Sequence, residues 1–173
     1  LSEFRHTTAF LPFERRNRTL STDESTCAPG VLKTSSRESS WRFSSKPVFH
    51  ILASGIYVLS EHQEALKPYM NAAGAVELGR LLSDGRIKLG MALGRSAGAT
   101  IDQIIAQAGD KNIVHIATQQ PTENLVRMLA VGRLDAMHGQ PFEMPLMARM
   151  ANLDEQRLIY LPIAEQEPVQ QIF

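Results

Sequence analysis

Three groups of residues in this chain have the types and spacing to do chemistry. The first centres on Arg37, in the run Gly30-x-x-x-Thr34-x-x-Arg37 followed by Phe43-Ser44-x-x-Pro47. Arginine presents a planar, permanently charged fork that matches a carboxylate through two parallel hydrogen bonds. The hydroxyl of Thr34 and the unpaired N–H groups of a helix start beside it add donors, so the run reads as a receptor for a carboxylate. The second is Gly94-Arg95-Ser96-Ala97-Gly98, which fits Gly-x-Ser-x-Gly between a strand pattern and a helix pattern. The third is Met137-His138-Gly139-Gln140, where polar side chains follow the carboxyl end of a strand.

A Gly-x-Ser-x-Gly turn in that context is where a serine nucleophile is credible, and Asp135 and His138 follow Ser96 in the order Ser, Asp, His. A triad needs the acid and the histidine on separate loops, so that the acid orients the imidazole from behind. Three residues apart on one short strand is poor geometry, and no oxyanion loop precedes it, so a serine hydrolase is a remote alternative. Ser96 also has a plainer role as a helix N-cap. Arg37 has one as a surface partner of Glu38, and Asp135 reads as structural because it lies within its strand.

Metal chemistry has less support. His6, His50, His62, His115 and His138 are scattered, with no His-x-His, no His-Glu-x-x-His and no cysteine cluster. No Gly-x-x-x-x-Gly-Lys-Ser/Thr loop occurs, so no nucleotide cofactor is read; neither a metal nor a cofactor is expected. Eighteen basic and 18 acidic residues give a formal net charge of zero, which offers nothing to nucleic acid or to a charged membrane surface. The run Arg15, Arg16, Arg18 reads as a solvated helix face. The single cysteine, Cys27, excludes an internal disulfide and reads as buried in an apolar strand. Trp41 and Phe43 read as core.

These groups need a scaffold, and the periodicity supplies one. Strands are expected over residues 4–11 and 25–32, a helix over 12–20 with Pro12 at its start, and a helical turn over 34–40. Residues 48–59 are apolar and β-branched, one long strand or two consecutive ones. Residues 61–83 are helical in composition, interrupted at Gly74. An alternation then begins: strands over 87–93, 113–117, 134–138 and 158–163, and helices over 99–108, 122–131 and 141–150. Strands alternating with helices argue for a parallel α/β sheet, which binds ligands at the carboxyl ends of its strands.

The run Gly30 to Pro47, together with Gly132-Arg133-Leu134-Asp135-Ala136, resembles the periplasmic solute-binding proteins that capture polar amino acids for ABC importers (extracellular solute-binding protein family 3). Pro12, Arg15, Cys27, Lys33, Thr34, Arg37 and Glu38 fit a poorly characterised branch of it. The resemblance implies a two-lobed periplasmic-binding-protein-like α/β fold joined by crossing strands. Residues 1–60 would form the first lobe, 61–84 a helical hinge connection and 85–173 the second lobe. It also implies that both ends of the family's chain are missing here, since the family opens and closes with further elements.

By the same resemblance the protein is not an enzyme but a periplasmic, monomeric receptor. It would capture a small polar or anionic solute by lobe closure and present it to an importer's membrane permease. The alternative is a ligand-sensing module of a membrane receptor or regulator with the same fold. Thr34 and Arg37 would hold the solute from the first lobe. Gly94, Ser96, His138 and Gln140 would meet it from the second. The family usually carries an acidic residue for the ligand's ammonium where this chain has Gln140, and Ser or Thr where it has Leu32. This disfavours an α-amino acid and favours a carboxylate without a nearby ammonium, or a small peptide-like or heterocyclic solute.

Overall fold

The computed structural model describes residues 5–23, 25–167 and 169–173. In chain order the elements are α1 (Phe13–Thr22), α2 (Ser35–Glu38), β1 (Phe49–Leu52), β2 (Gly55–Leu59), α3 (Leu78–Asp84), β3 (Leu89–Ala92), α4 (Ala99–Ala108), β4 (Ile113–Ile116), α5 (Pro121–Ala130), β5 (Ala136–Gly139), α6 (Met144–Met150), β6 (Leu158–Pro162) and β7 (Val169–Ile172). Tight 3₁₀ turns cover Ser60–Tyr69 and Glu155–Arg157.

Every residue of β2 is buried, as an interior strand requires. The two-residue period of a strand sends alternate side chains to opposite faces. Ile56 and Val58 accordingly enter one apolar cluster, and Tyr57 and Leu59 another. The first cluster is completed by α3 and α4 through Leu78, Leu81, Leu82 and Ile101. The second is completed by α5 and α6 through Leu125, Val126, Leu129 and Met144. Helices thus cover both faces of a five-stranded sheet in the order β4-β3-β5-β2-β6. β3 runs parallel to β4 and to β5, whereas β2 is antiparallel to β5 and β6.

A second, smaller unit is built on β1 and β7, paired antiparallel with Phe49 opposite Ile172. Leu32 bridges Ile172 on the other side, and the amides of Gly30 and Val31 donate to the Phe173 carbonyl. The chain crosses between units at Ala53 and Ser54 and returns between β6 and β7. Side-chain amides tie the crossings together. Gln166 donates to the Ser54 hydroxyl at 3.1 Å, and Gln166 and Gln170 both donate to the Ala97 carbonyl at 2.8 Å.

Several expectations are corrected. Residues 5–11 form no strand; Phe4 lies outside the described residues. Of the strand expected over 25–32, only Leu32 makes a bridge, and Cys27 is exposed because no sheet covers it. Residues 61–83 are not one helix. The 3₁₀ turn ends at Tyr69, the chain then reverses through a turn over residues 71–75 so that Met70 bridges Val76, and α3 follows. The segment expected as a hinge supplies Leu66, Tyr69, Val76, Leu78, Leu81 and Leu82 to the main core. The sheet is mixed, because β2 enters from the smaller unit against the direction of its neighbours. Trp41 and Phe43 form a half-buried aromatic row with Phe173, with ring centres 6.2 and 6.0 Å apart.

Candidate functional site

A cavity of about 100 Å³ lies between the two units. Arg37 lines it from α2, Ser96 from the turn before α4, and Gln140 from just beyond β5. Three of the residues singled out in the sequence are therefore brought together. Arg16 and Arg95 line it as well, and the walls between them are apolar: Phe13, Leu32, Phe49, Ile51, Phe142 and Ile172.

Arg37 is held by its own turn. Its guanidinium donates to the Leu32 carbonyl at 2.9 Å and lies 4.9 Å from the centre of the Trp41 ring. Glu38 does not pair with it, because Glu38 accepts from Lys33 at 3.0 Å. Burial lowers the Arg37 pKa, while the Asp102 carboxylate works in the opposite direction. Neither Arg37 nor Arg16 has a carboxylate in ion-pair contact among the described residues.

Arg16 is delivered by α1, one turn after Phe13. Its neighbours Arg15 and Arg18 face solvent, but Arg16 is half-buried. Burial first, then the Arg37 and Arg95 charges, bring its pKa down to about 10. Asn17 fixes it from behind. Arg16 donates to Asn17 Oδ1 at 3.0 Å, and Asn17 Nδ2 donates to the Gly94 carbonyl at 2.7 Å. The guanidinium carbons of Arg16 and Arg95 lie 4.9 and 5.3 Å from the centre of the Phe13 ring, in cation–π range. Arg95 differs from the other two arginines because Glu143 neutralises it at 2.6 Å.

Gly94 does not line the cavity; it lets α1 approach. With φ at +76°, a side chain there would place Cβ 2.7 Å from the Glu14 amide nitrogen. Ser96 is engaged internally: its hydroxyl donates to Asp102 Oδ2 at 2.5 Å and accepts from the Gly98 amide at 3.1 Å. His138 is not its partner. His138 sits inside the sheet opposite Ile56, 4% exposed, and burial, aided by the Arg95 charge, pushes its pKa down to about 3. Asp135 accepts from the Lys88 amide at 2.7 Å at the start of β3. The serine, acid and imidazole of a hydrolase are therefore not assembled.

Gln140 is 3% exposed, and its side-chain amide makes no hydrogen bond among the described residues; Oε1 is buried without a partner. Its backbone amide donates to Glu143 Oε1 at 3.3 Å. Thr34 lies elsewhere, at a wider opening of about 530 Å³ with Gln166 and Gln170. Of the charges there, Lys33 pairs with Glu38, Glu165 accepts from the Leu78 and Gly79 amides, and Glu167 is exposed. Among the described residues no cluster of His, Cys, Asp and Glu forms a metal site.

The sequence reading missed Phe13, Arg16, Arg95 and Glu143. Arg16 was legible in principle, since it stands at i+3 from Phe13, the spacing that puts two residues on one helix face. Arg95 sat inside a motif read for its serine.

No protein-family model matches the chain, and no curated protein matches it. Solved structures do. A histidine kinase sensor domain similar to periplasmic binding proteins matches 93% of this chain at 15% identity and a TM-score of 0.60. The AvGluR1 ligand-binding domain in complex with glutamate matches 97% at 13% identity and 0.61. An amino acid ABC transporter substrate-binding protein from Streptococcus pneumoniae, bound to L-arginine, matches 92% at 16% identity and 0.58. This chain covers 60%, 62% and 58% of those three chains. The fold is therefore α/β and periplasmic-binding-protein-like, and the chain spans less than two thirds of the length of these structures.

Proposed function

We propose that the protein captures a small anionic solute in the cavity between its two units, without catalysis, as the extracytoplasmic binding component of an importer. The observation that carries this reading is Arg37, a half-buried guanidinium facing a cavity with no carboxylate in ion-pair contact among the described residues. A buried charge without a counter-ion is costly, so an incoming carboxylate is bound where that cost is recovered. The smaller unit offers Arg37. The larger offers Ser96 and Gln140. The crossings at Ser54 and Gln166 are where the units would rotate to enclose the solute.

A second reading, a ligand-sensing module, draws on the likeness to a sensor domain and to a receptor's ligand-binding domain. The cavity chemistry serves both roles, and the partner that recognises the closed form separates them. No helix among the described residues is long and apolar enough to cross a membrane.

The test is a thermal-shift screen against amino acids, small carboxylates and short peptides, followed by calorimetry on Arg37→Ala. A ligand at a hundred times its Kd stabilises by about 2.7 kcal/mol, a shift of several degrees for a chain of this size. Arg37→Ala should lower affinity for the anionic hit at least about tenfold with an unchanged circular dichroism spectrum. Unchanged affinity would sink the assignment.

A further inference from the structure

We infer that the solute is a dianion with an apolar middle, a short dicarboxylate, gripped by Arg16 and Arg37 together. This rests on the cavity being a solute site and adds the ligand's charge and shape. Three guanidinium groups line the cavity, and no Asp or Glu among the described residues does. Arg95 is matched by Glu143, which leaves Arg16 and Arg37 as two cations with no carboxylate in ion-pair contact among the described residues. Like charges brought together out of water repel and are poorly solvated. The depressed pKa of Arg16 is the mark of that cost. Asp102 offsets part of it at Arg37, and a ligand with two negative charges can answer both guanidinium groups.

The other features narrow the class. Among the described residues no carboxylate lines the cavity to receive an ammonium, and two cations repel one, so a zwitterionic amino acid is disfavoured. The apolar walls, Phe13, Leu32, Phe49 and Ile51 among them, leave an inorganic dianion unsolvated over most of its surface, whereas methylene groups fit against them. The volume of about 100 Å³ holds only a short chain. Gln140, buried and with its amide unpartnered, is the remaining polar group, and it is free to hydrogen-bond a carboxyl oxygen or a hydroxyl on the solute.

Calorimetry on the 173-residue chain at low ionic strength tests this with succinate, malonate, butyrate, glutamine, inorganic phosphate and sulfate. Succinate or malonate should bind at least about tenfold more tightly than butyrate, which has one carboxylate on a similar skeleton. Arg16→Gln should collapse that ratio towards one, and Arg37→Gln should weaken both ligands. Gln140→Asp should weaken succinate and improve glutamine. Circular dichroism on each variant checks the fold. Butyrate binding as well as succinate, or phosphate or sulfate binding as well, would overturn the dicarboxylate. Preference for glutamine would overturn it while leaving solute capture standing. Binding of none of these, nor of any solute in the wider screen, would remove both readings.

Discussion

Replacing His138 by glutamine should remove most of the protein's acid sensitivity between neutral pH and about pH 5. His138 lies within β5, 4% exposed, with Nε2 unpartnered among the described residues. Burial chiefly, with Arg95 adding, holds its pKa near about 3 against an ordinary value of 6.5. Between those values the unfolded chain carries a proton that the folded chain refuses. Stability is therefore intact above 6.5, falls as pH drops below it, and levels off near the folded value. At about pH 5 the cost is 1.5 pH units below the unfolded value at 1.36 kcal/mol each, or about 2 kcal/mol. That figure holds for any folded pKa well under 5. For a domain stable by about 5–15 kcal/mol it is a large fraction. The assay is urea unfolding at about pH 7.5 and pH 5 for both proteins. The wild type should lose about 2 kcal/mol more than His138→Gln between the two. Equal losses, or an imidazole proton signal showing His138 charged above pH 5, would refute the argument.

Two further substitutions probe the frame around the cavity. Gly94→Ala drives a methyl group against the α1 backbone at Glu14 and requires φ of +76° from an L-residue; it should cost roughly 1–3 kcal/mol and speed trypsin cleavage at Arg15 and Arg18. An unchanged cleavage rate would mean that α1 is not seated on this turn. Arg95→Met strips the partner from Glu143, whose side chain is 19% exposed; it should cost roughly 1–3 kcal/mol in urea unfolding, and Glu143→Leu added to it should recover part of the loss. A double variant no more stable than Arg95→Met would show that the pair carries no mutual dependence.

The layered unit was legible because its signals are local and repeated. The apolar face of Ala99–Ala108 predicts α4 to the residue, since Ile101, Ile104 and Ile105 recur at helical spacing. The strands shorten by one to three residues wherever their ends leave the ladder, as at Ile87 and Leu134. The smaller unit was harder because its contacts are distant. β7 is Val-Gln-Gln-Ile, too short and polar to announce itself, and it becomes a strand only by pairing with β1, more than a hundred residues away. Residues 5–11 and 25–29 have strand-like composition, but among the described residues no strand pairs with them; Gly30 and Val31 share backbone hydrogen bonds with Phe173. Propensity without a partner makes no sheet. At the site, Arg37 followed from its motif. His138 was misjudged because it is still inside the strand, whereas Gln140 lies beyond its end.

What the cavity asks of a ligand follows from which charges the fold has already matched. Lys33 is matched by Glu38, and Arg95 by Glu143. Both pairs link residues brought close by turns adjoining the cavity, and neither leaves a net charge to offer. A carboxylate at position 140 would bring a second acid beside Glu143, whose Oε1 accepts from the backbone amide of that residue. Glutamine there adds no charge, and no carboxylate among the described residues lines the cavity. Of the two guanidinium groups that remain, Arg37 stands on α2 beside the smaller unit and Arg16 on α1, which is seated on the Gly94 turn, while Gln140 and Ser96 belong to the larger unit. A solute of the proposed kind that reached all four would touch both units, and its binding energy would then favour a closed arrangement over an open one. Differential contact of that kind, rather than affinity alone, is what allows a bound solute to shift a conformational equilibrium.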